Sequence, residues 1–156
     1  DSPFGELMLG FYDAAPGDKE GAKRSFARST RHMGSTIPDQ ELQAIYLGTF
    51  GTISQRQVAL KIVDAHTGDE WAPTLLLQLG EAGRSFDLYE HGHSGLSDAY
   101  LNWLWQPEPW SRKARQSDAF SGFALRLGMV DYWKRYGWPD LCQPAPSAGP
   151  YACTGQ

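Results

Sequence analysis

The chain lacks the long apolar run of a membrane-spanning helix, and it has little of what marks a β-sheet. No run among the 156 residues approaches the roughly 18 apolar residues that cross a bilayer, so we expect no membrane span. No stretch alternates apolar and polar residues in a run of Val, Ile and Thr, and no Asn-Gly or Asp-Gly pair marks a hairpin. These absences favour an all-α fold.

The chain also lacks an excess of positive charge, an initiator Met and a signal-peptide pattern at Asp1. A net charge of −4 gives no general reason to expect nucleic-acid binding. With 41% hydrophobic and 21% charged residues, the chain has the composition of one soluble globular domain. We expect a fragment or a processed product of a larger protein.

Sequence motifs typical of catalytic, phosphate-binding and metal sites are missing as well. No Ser stands in a Gly-x-Ser-x-Gly elbow, and the segment from Gly80 to Gly83 lacks the Gly-Lys-Ser/Thr ending of a phosphate loop. His91 and His93 are separated by one residue and do not easily face one metal ion. Asp69 and the acidic residue after it are interpreted as charge at a helix N-terminus. The sequence therefore predicts a protein that is not an enzyme, with no cofactor and no metal.

Only two cysteines are present, Cys142 and Cys153, and the ten residues between them are typical of a loop. A disulfide is favoured over two free thiols, and it would indicate an oxidising compartment. It would tie down a tail that we place at residues 143–156.

Apolar residues recur at helical spacing along most of the chain. Breaks of about three to six residues separate the periodic stretches, which is typical of helix hairpins. The apolar stripes are Phe4–Phe11, Ala22–Met33, Leu42–Phe50, Val58–His66, Trp71–Leu79, Phe86–Tyr89, Tyr100–Trp105 and Phe120–Leu127.

One short pattern repeats: a Gly, a small residue five later, an aromatic four later, and a small residue three after that. It occurs at Gly17–Ser29 and at Gly80–Gly92, while Ala59, Val63 and His66 hold the corresponding places between them. The pattern resembles the second half of a tetratricopeptide repeat. The resemblance implies about three helical hairpins over residues 1–95, in which the small residue allows the helices to approach closely. Pro73 fits only in the first turn of a helix.

The C-terminal part holds five of the six tryptophans and is interpreted as a helical cap over residues 96–142, completing one domain over residues 1–142. Because Trp103 and Trp105 are two positions apart, we expect one to pack inward and the other outward. The segment is similar to the tail of a bacterial family, the membrane-anchored winged-helix transcriptional regulators and some nucleotide cyclases. The matching residues are Asp118, Phe120, Gly128, Asp131, Tyr132, Trp133, Pro139, Asp140 and Cys142, with Cys153 as a second cysteine.

The resemblance implies a non-catalytic sensory or protein-interaction module. The parent would be a bacterial signalling or transcriptional regulator, and the module would be periplasmic if that parent is membrane-anchored and cytoplasmic otherwise. A protein or peptide partner on the concave face is the first hypothesis, and a small ligand held between the last hairpin and the aromatic cap is the alternative. A homodimer formed through the aromatic face stays open. The residues predicted to contact the partner are Gln43, Tyr46, Phe50, Thr74 and Gln78.

Overall fold

The computed structural model describes residues 18–91, 99–145 and 151–153. Within these ranges the chain is mostly helical with two very short strands, which confirms the all-α prediction. The predicted stripe at Phe4–Phe11 and the glycines Gly17 and Gly92 lie outside the described residues. The elements are α1 (Lys19–His32), α2 (Asp39–Phe50), α3 (Ile53–Ala65), α4 (Ala72–Gln78), α5 (Ala82–His91), α6 (Ala99–Leu104), α7 (Pro109–Arg115), α8 (Asp118–Arg126), α9 (Met129–Tyr136), β1 (Cys142–Gln143) and β2 (Ala152–Cys153).

Helices α2 and α3 form a hairpin with a connection of two residues. Thr52 caps α3 through a capping box, in which its hydroxyl accepts from the Gln55 amide while the Gln55 side chain accepts from the Thr52 amide. The two helices meet at Gly48 and Ala59, where a side chain on Gly48 would overlap the Ala59 Cβ. The contact between Gly48 and Ala59 therefore sets the distance between α2 and α3.

Helices α4 and α5 form the next hairpin. All seven residues of α4 are buried, so this helix lies at the centre of the core. Pro73 falls in its first turn, as its chemistry requires. Gly80 makes the turn after α4 with φ +79°, a conformation that favours glycine. The Ser85 hydroxyl on α5 donates to the Pro73 carbonyl oxygen at 2.6 Å, which shows how closely the two helices approach.

A buried carboxylate ties the loop before α2 to the loop before α4. Asp69 is 6% exposed. Its Oδ2 accepts from the Thr36 amide at 2.6 Å, the Thr36 hydroxyl at 2.8 Å and the Ser35 hydroxyl at 3.1 Å. Its Oδ1 accepts from the Trp71 amide at 2.9 Å. The predicted role as helix-terminal charge accounts only for the Trp71 contact; the other three bonds join segments more than thirty positions apart.

The C-terminal helices pack through a continuous aromatic cluster. The Phe86 ring on α5 stacks on Phe123 of α8, with ring centroids 4.4 Å apart. Trp103, on α6, is buried. Trp105 follows the last residue of α6 and is partly buried, because it packs edge-on against Phe120 of α8 and Trp133 of α9. Neither tryptophan is exposed, although helical spacing predicts that one of the two points outward.

Cys142 and Cys153 are joined in a disulfide, and they face one another in the antiparallel pair β1 and β2. This two-residue ladder is strand structure that the sequence pattern did not predict. Beside it, Tyr151 is buried and its hydroxyl donates to the Phe120 carbonyl oxygen at 3.1 Å. Burial raises the pKa of the Tyr151 phenol. The cross-link thus holds residues 151–153 against the aromatic cluster.

An ion pair links α5 to α8. The Arg126 guanidinium donates to both carboxylate oxygens of Glu90, with N–O distances from 2.6 to 3.1 Å. The Glu90 side chain is only 10% exposed. The hydrogen bonds from Arg126 lower the pKa of Glu90 below its ordinary value of 4.5, against an opposing effect of desolvation. The ionised pair therefore favours the folded state.

We expect Glu90→Gln to lower the urea midpoint of unfolding at pH 7. Because the folded pKa of Glu90 lies below the unfolded pKa, its contribution is complete above about pH 5 and is lost as the pH falls below about 4.5. The wild type and the variant should therefore converge in acid, as measured by urea titrations at several pH values. Glu20→Gln is the control, since Glu20 is 66% exposed and pairs with Lys23 on its own helix. A difference between wild type and Glu90→Gln that stays constant down to pH 2.5 would contradict the prediction.

Candidate functional site

A cleft of about 710 Å³ opens between the hairpins and the cap. Three segments that are distant in sequence form it: the end of α2 with the first turn of α3, the turn between α4 and α5, and the start of α7. The volume lies within the range of about 300–1,000 Å³ that small-ligand sites occupy. The lining residues are Gly48, Thr49, Phe50, Arg56, Gln78, Leu79, Gly80, Pro107, Glu108, Pro109, Trp110 and Lys113.

One wall of the cleft is apolar and rigid. Phe50 is 51% exposed at the end of α2, which is unusual for a large aromatic side chain. In the same lining, Pro107 precedes α7 and Pro109 is its first residue, and Trp110 packs on Trp103 with ring centroids 5.8 Å apart. Aromatic and proline side chains lose little conformational entropy when a ligand contacts them. This wall suits the apolar part of a ligand.

Gln78 supplies an unusual polar group to the lining. It is the last residue of α4 and is only 4% exposed. Neither its amide nitrogen nor its amide oxygen has a hydrogen-bond partner among the residues that the structure describes. A buried donor or acceptor left unpaired costs roughly 1–3 kcal/mol. A primary amide can donate and accept at once, which is the pattern that complements a peptide group.

The cations of the lining are held in different ways. Arg56 Nε donates to the Leu79 carbonyl oxygen at 2.6 Å, and Arg56 Nη2 pairs with Glu81 at 2.6 Å. These bonds fix α3 to the turn between α4 and α5, and thereby fix one edge of the cleft. Lys113 lies on α7 and is exposed.

A cluster of charged groups lies around Glu108 at the start of α7. Both Glu108 carboxylate oxygens are buried and have no hydrogen-bond partner among the described residues. Arg115 is 2% exposed, and its Nη1 donates to the carbonyl oxygens of Leu104 and Gln106. Desolvation lowers the pKa of Arg115, the neighbouring Arg112 lowers it further, and Glu108 opposes both effects. The carboxylate and the two guanidinium groups thus interact through space.

The twelve residues of the lining include no His, Cys or Ser. In the described ranges, no group of three or more His, Cys, Asp or Glu side chains could hold a metal ion. What the cleft offers is an aromatic wall, a buried amide and cationic groups.

Two of the five predicted contact residues, Phe50 and Gln78, line this cleft. Tyr46 is buried, and its ring centroid lies 5.0 Å from that of Phe50. Gln43 is partly buried one turn earlier on α2, and Thr74 is buried one turn before Gln78 on α4. Gln43, Tyr46 and Thr74 are therefore not part of the cleft lining.

Sequence reasoning missed the contributions of Arg56, Glu108 and Lys113. The segment Pro107-Glu108-Pro109-Trp110 was a partial signal for this part of the cleft, because two prolines and a tryptophan within four residues make a rigid segment with an aromatic side chain. Of the His-rich segment, only His91 lies in the described part, exposed at the end of α5 and 3.3 Å from Asp87. The basic residues of α1 are mostly exposed, and two of them pair within the chain, Lys23 with Glu20 and Arg31 with Asp39.

Comparison with protein-family models, with curated proteins and with solved structures finds no match for this chain. Among the described helices, none combines the length and the apolar character that crossing a bilayer requires. The geometry of the cleft is therefore the basis for proposing a function.

Proposed function

We propose that this protein is a non-catalytic interaction module that binds a peptide segment of a partner protein in the cleft. The observation that carries the proposal is Gln78, a buried amide in the lining with neither polar atom paired among the described residues. An extended peptide offers both a donor and an acceptor to such a group. The exposed ring of Phe50 and the wall at Trp110 would hold the peptide's apolar side chains.

A tetratricopeptide-like arrangement is part of the same proposal. It is supported by the close approach at Gly48 and Ala59 in one hairpin and by the Ser85 contact with Pro73 in the next. In both hairpins the small residue singled out by the repeat pattern lies where the helices meet. By this resemblance the parent would be a bacterial regulator, and the disulfide is consistent with a periplasmic location.

A small-ligand sensor is the second candidate. One observation favours it: the cleft lies between the last hairpin and the cap, and its volume of about 710 Å³ would accommodate a metabolite. Phe50 lines the cleft and is half exposed, which favours a longer ligand that continues beyond the cleft, so we place the peptide first.

We expect Gln78→Leu to abolish peptide binding while raising stability. Leucine is similar in size and removes two unpaired polar atoms from a buried position, so unfolding should require about 1 kcal/mol more free energy. The probe is a phage-displayed library of random heptapeptides, from which wild-type protein should enrich a consensus that Gln78→Leu does not retain. Thermal melts followed by circular dichroism provide the stability readout.

The matched control is Gln57→Leu, the same change at an exposed position of α3 outside the lining. It should leave enrichment unchanged. Failure of the wild type to enrich any consensus would overturn the proposed function. If Gln78→Leu still enriches the same consensus, Gln78 does not contact the peptide, and the main observation behind the proposed function is lost.

A further inference from the structure

The charged groups that line the cleft do not cancel. Arg56 and Lys113 are its two cations, and Glu108 is its one carboxylate. A second carboxylate, Glu81, lies outside the lining and pairs with Arg56. The lining residues themselves carry an excess of one positive charge, in a chain whose net charge is −4.

Neither Glu81 nor Glu108 neutralises the positive charge of Lys113. Glu81 is bound to the Arg56 guanidinium at 2.6 Å. The Glu108 oxygens are buried, and their charge acts on the buried guanidinium of Arg115. Lys113 is the exposed cation of the lining. An anionic group entering the cleft would therefore meet the ammonium of Lys113 before it meets a carboxylate.

We propose that the occupant of the cleft is an acidic, extended peptide segment. One of its peptide groups would form hydrogen bonds with the Gln78 side chain, and one of its Asp or Glu side chains would form an ion pair with Lys113. This inference rests on the proposed function and names its ligand class. The unpaired amide distinguishes it from a bare carboxylate metabolite, which accepts from Lys113 and from the Gln78 amide nitrogen but has no donor for the Gln78 amide oxygen. The apolar wall supplies contacts for the residues that flank the acidic side chain.

The test uses three synthetic pools of terminally blocked hexapeptides, matched in length and apolar content. One fixed position holds Asp or Glu in the first pool, Asn or Gln in the second, and Lys or Arg in the third. Binding to the full chain is measured by isothermal titration calorimetry at low and at high NaCl. We expect the acidic pool to bind about fivefold more tightly than the neutral pool, and the difference to shrink in high salt because such contacts are screened.

Lys113→Glu reverses the charge at the proposed contact and should transfer the preference from the acidic to the basic pool. Lys134→Glu is its matched control, since Lys134 is an exposed residue of α9 that is not part of the lining, and the variant makes the same change in net charge. The control should keep the acidic preference. Circular dichroism melts of both variants check that each one folds.

The outcomes separate the two proposals. Equal affinity for the acidic and neutral pools would overturn the charge preference and leave peptide binding standing. An acidic preference that persists in Lys113→Glu would also overturn it. Failure to bind any pool would overturn peptide binding itself. Succinate that binds as tightly as the acidic pool would show that the occupant is a small carboxylate rather than a peptide.

Discussion

Asp69→Asn should lower the free energy of unfolding by about 2–3 kcal/mol, because it places a donor where the fold supplies only donors. The carboxylate accepts bonds at both oxygens, from Ser35 and Thr36 on one side and from Trp71 on the other. An asparagine has one acceptor oxygen, so in either orientation its NH₂ group faces an N–H or O–H donor. In a chain of this size the loss corresponds to a fall in melting temperature of about 5–10 °C.

The measurement is thermal and urea unfolding of Asp69→Asn beside Asp87→Asn, which makes the same change on an exposed side chain of α5. The control should change the free energy of unfolding by less than about 1 kcal/mol. If both variants lost the same small amount, the carboxylate would not be the link between the two loops. If only Asp69→Asn lowers the free energy of unfolding substantially, the Asp69 carboxylate is the group that links the two loops.

The second large effect is expected at Gly48, where α2 and α3 meet. A Cβ on this residue would overlap the Cβ of Ala59 and lie 3.0 Å from the carbonyl oxygen of Gln55, neither of which is a flexible group. Gly48→Ala must push the helices apart or bend them, which costs about 1–3 kcal/mol. Because Gly48 and Thr49 also line the cleft, the same shift should weaken peptide binding.

A double-mutant cycle tests the cause. Ala59→Gly alone should cost about 1 kcal/mol through its helix propensity, yet in the Gly48→Ala background it should restore part of the lost stability. The Gln55 contact remains, so the rescue should be incomplete. Gly83→Ala is the control, since a Cβ there would approach only Ala119, at 3.7 Å, on an exposed face of α5. Strictly additive losses for Gly48→Ala and Ala59→Gly would show that the two residues do not meet.

The proposed ligand site illustrates a conflict between stability and function. Gln78 occupies a position where leucine would suit the core better, and Phe50 exposes an aromatic ring that folding alone would bury. Proteins keep such locally unfavourable groups at sites that bind a ligand. The stability gain expected for Gln78→Leu and the loss of binding are therefore two consequences of the same unpaired amide.

Local patterns predicted the helices well, since each depends on residues within a turn or two. Helical spacing located α1 to α5, the break at Gly51-Thr52 separated α2 from α3, and Pro73 was restricted to a first turn. The prediction that either Trp103 or Trp105 points outward was wrong, because helical spacing gives the angle between two side chains and not what covers them, and Trp105 lies beyond the end of α6. The two-residue ladder at Cys142 and Cys153 is too short to leave a periodic signal.

The sequence by itself determined that the chain is helical, where most helices run, and which small residues can lie at helix contacts, because these depend on spacing along one chain segment. Only the tertiary structure decided that Asp69 serves as a buried acceptor and that Gln78 and Lys113 line one cleft. Spacing indicates which face of a helix is apolar, but not which partner that face meets. A site assembled from segments about thirty residues apart is fixed by how the hairpins pack on one another.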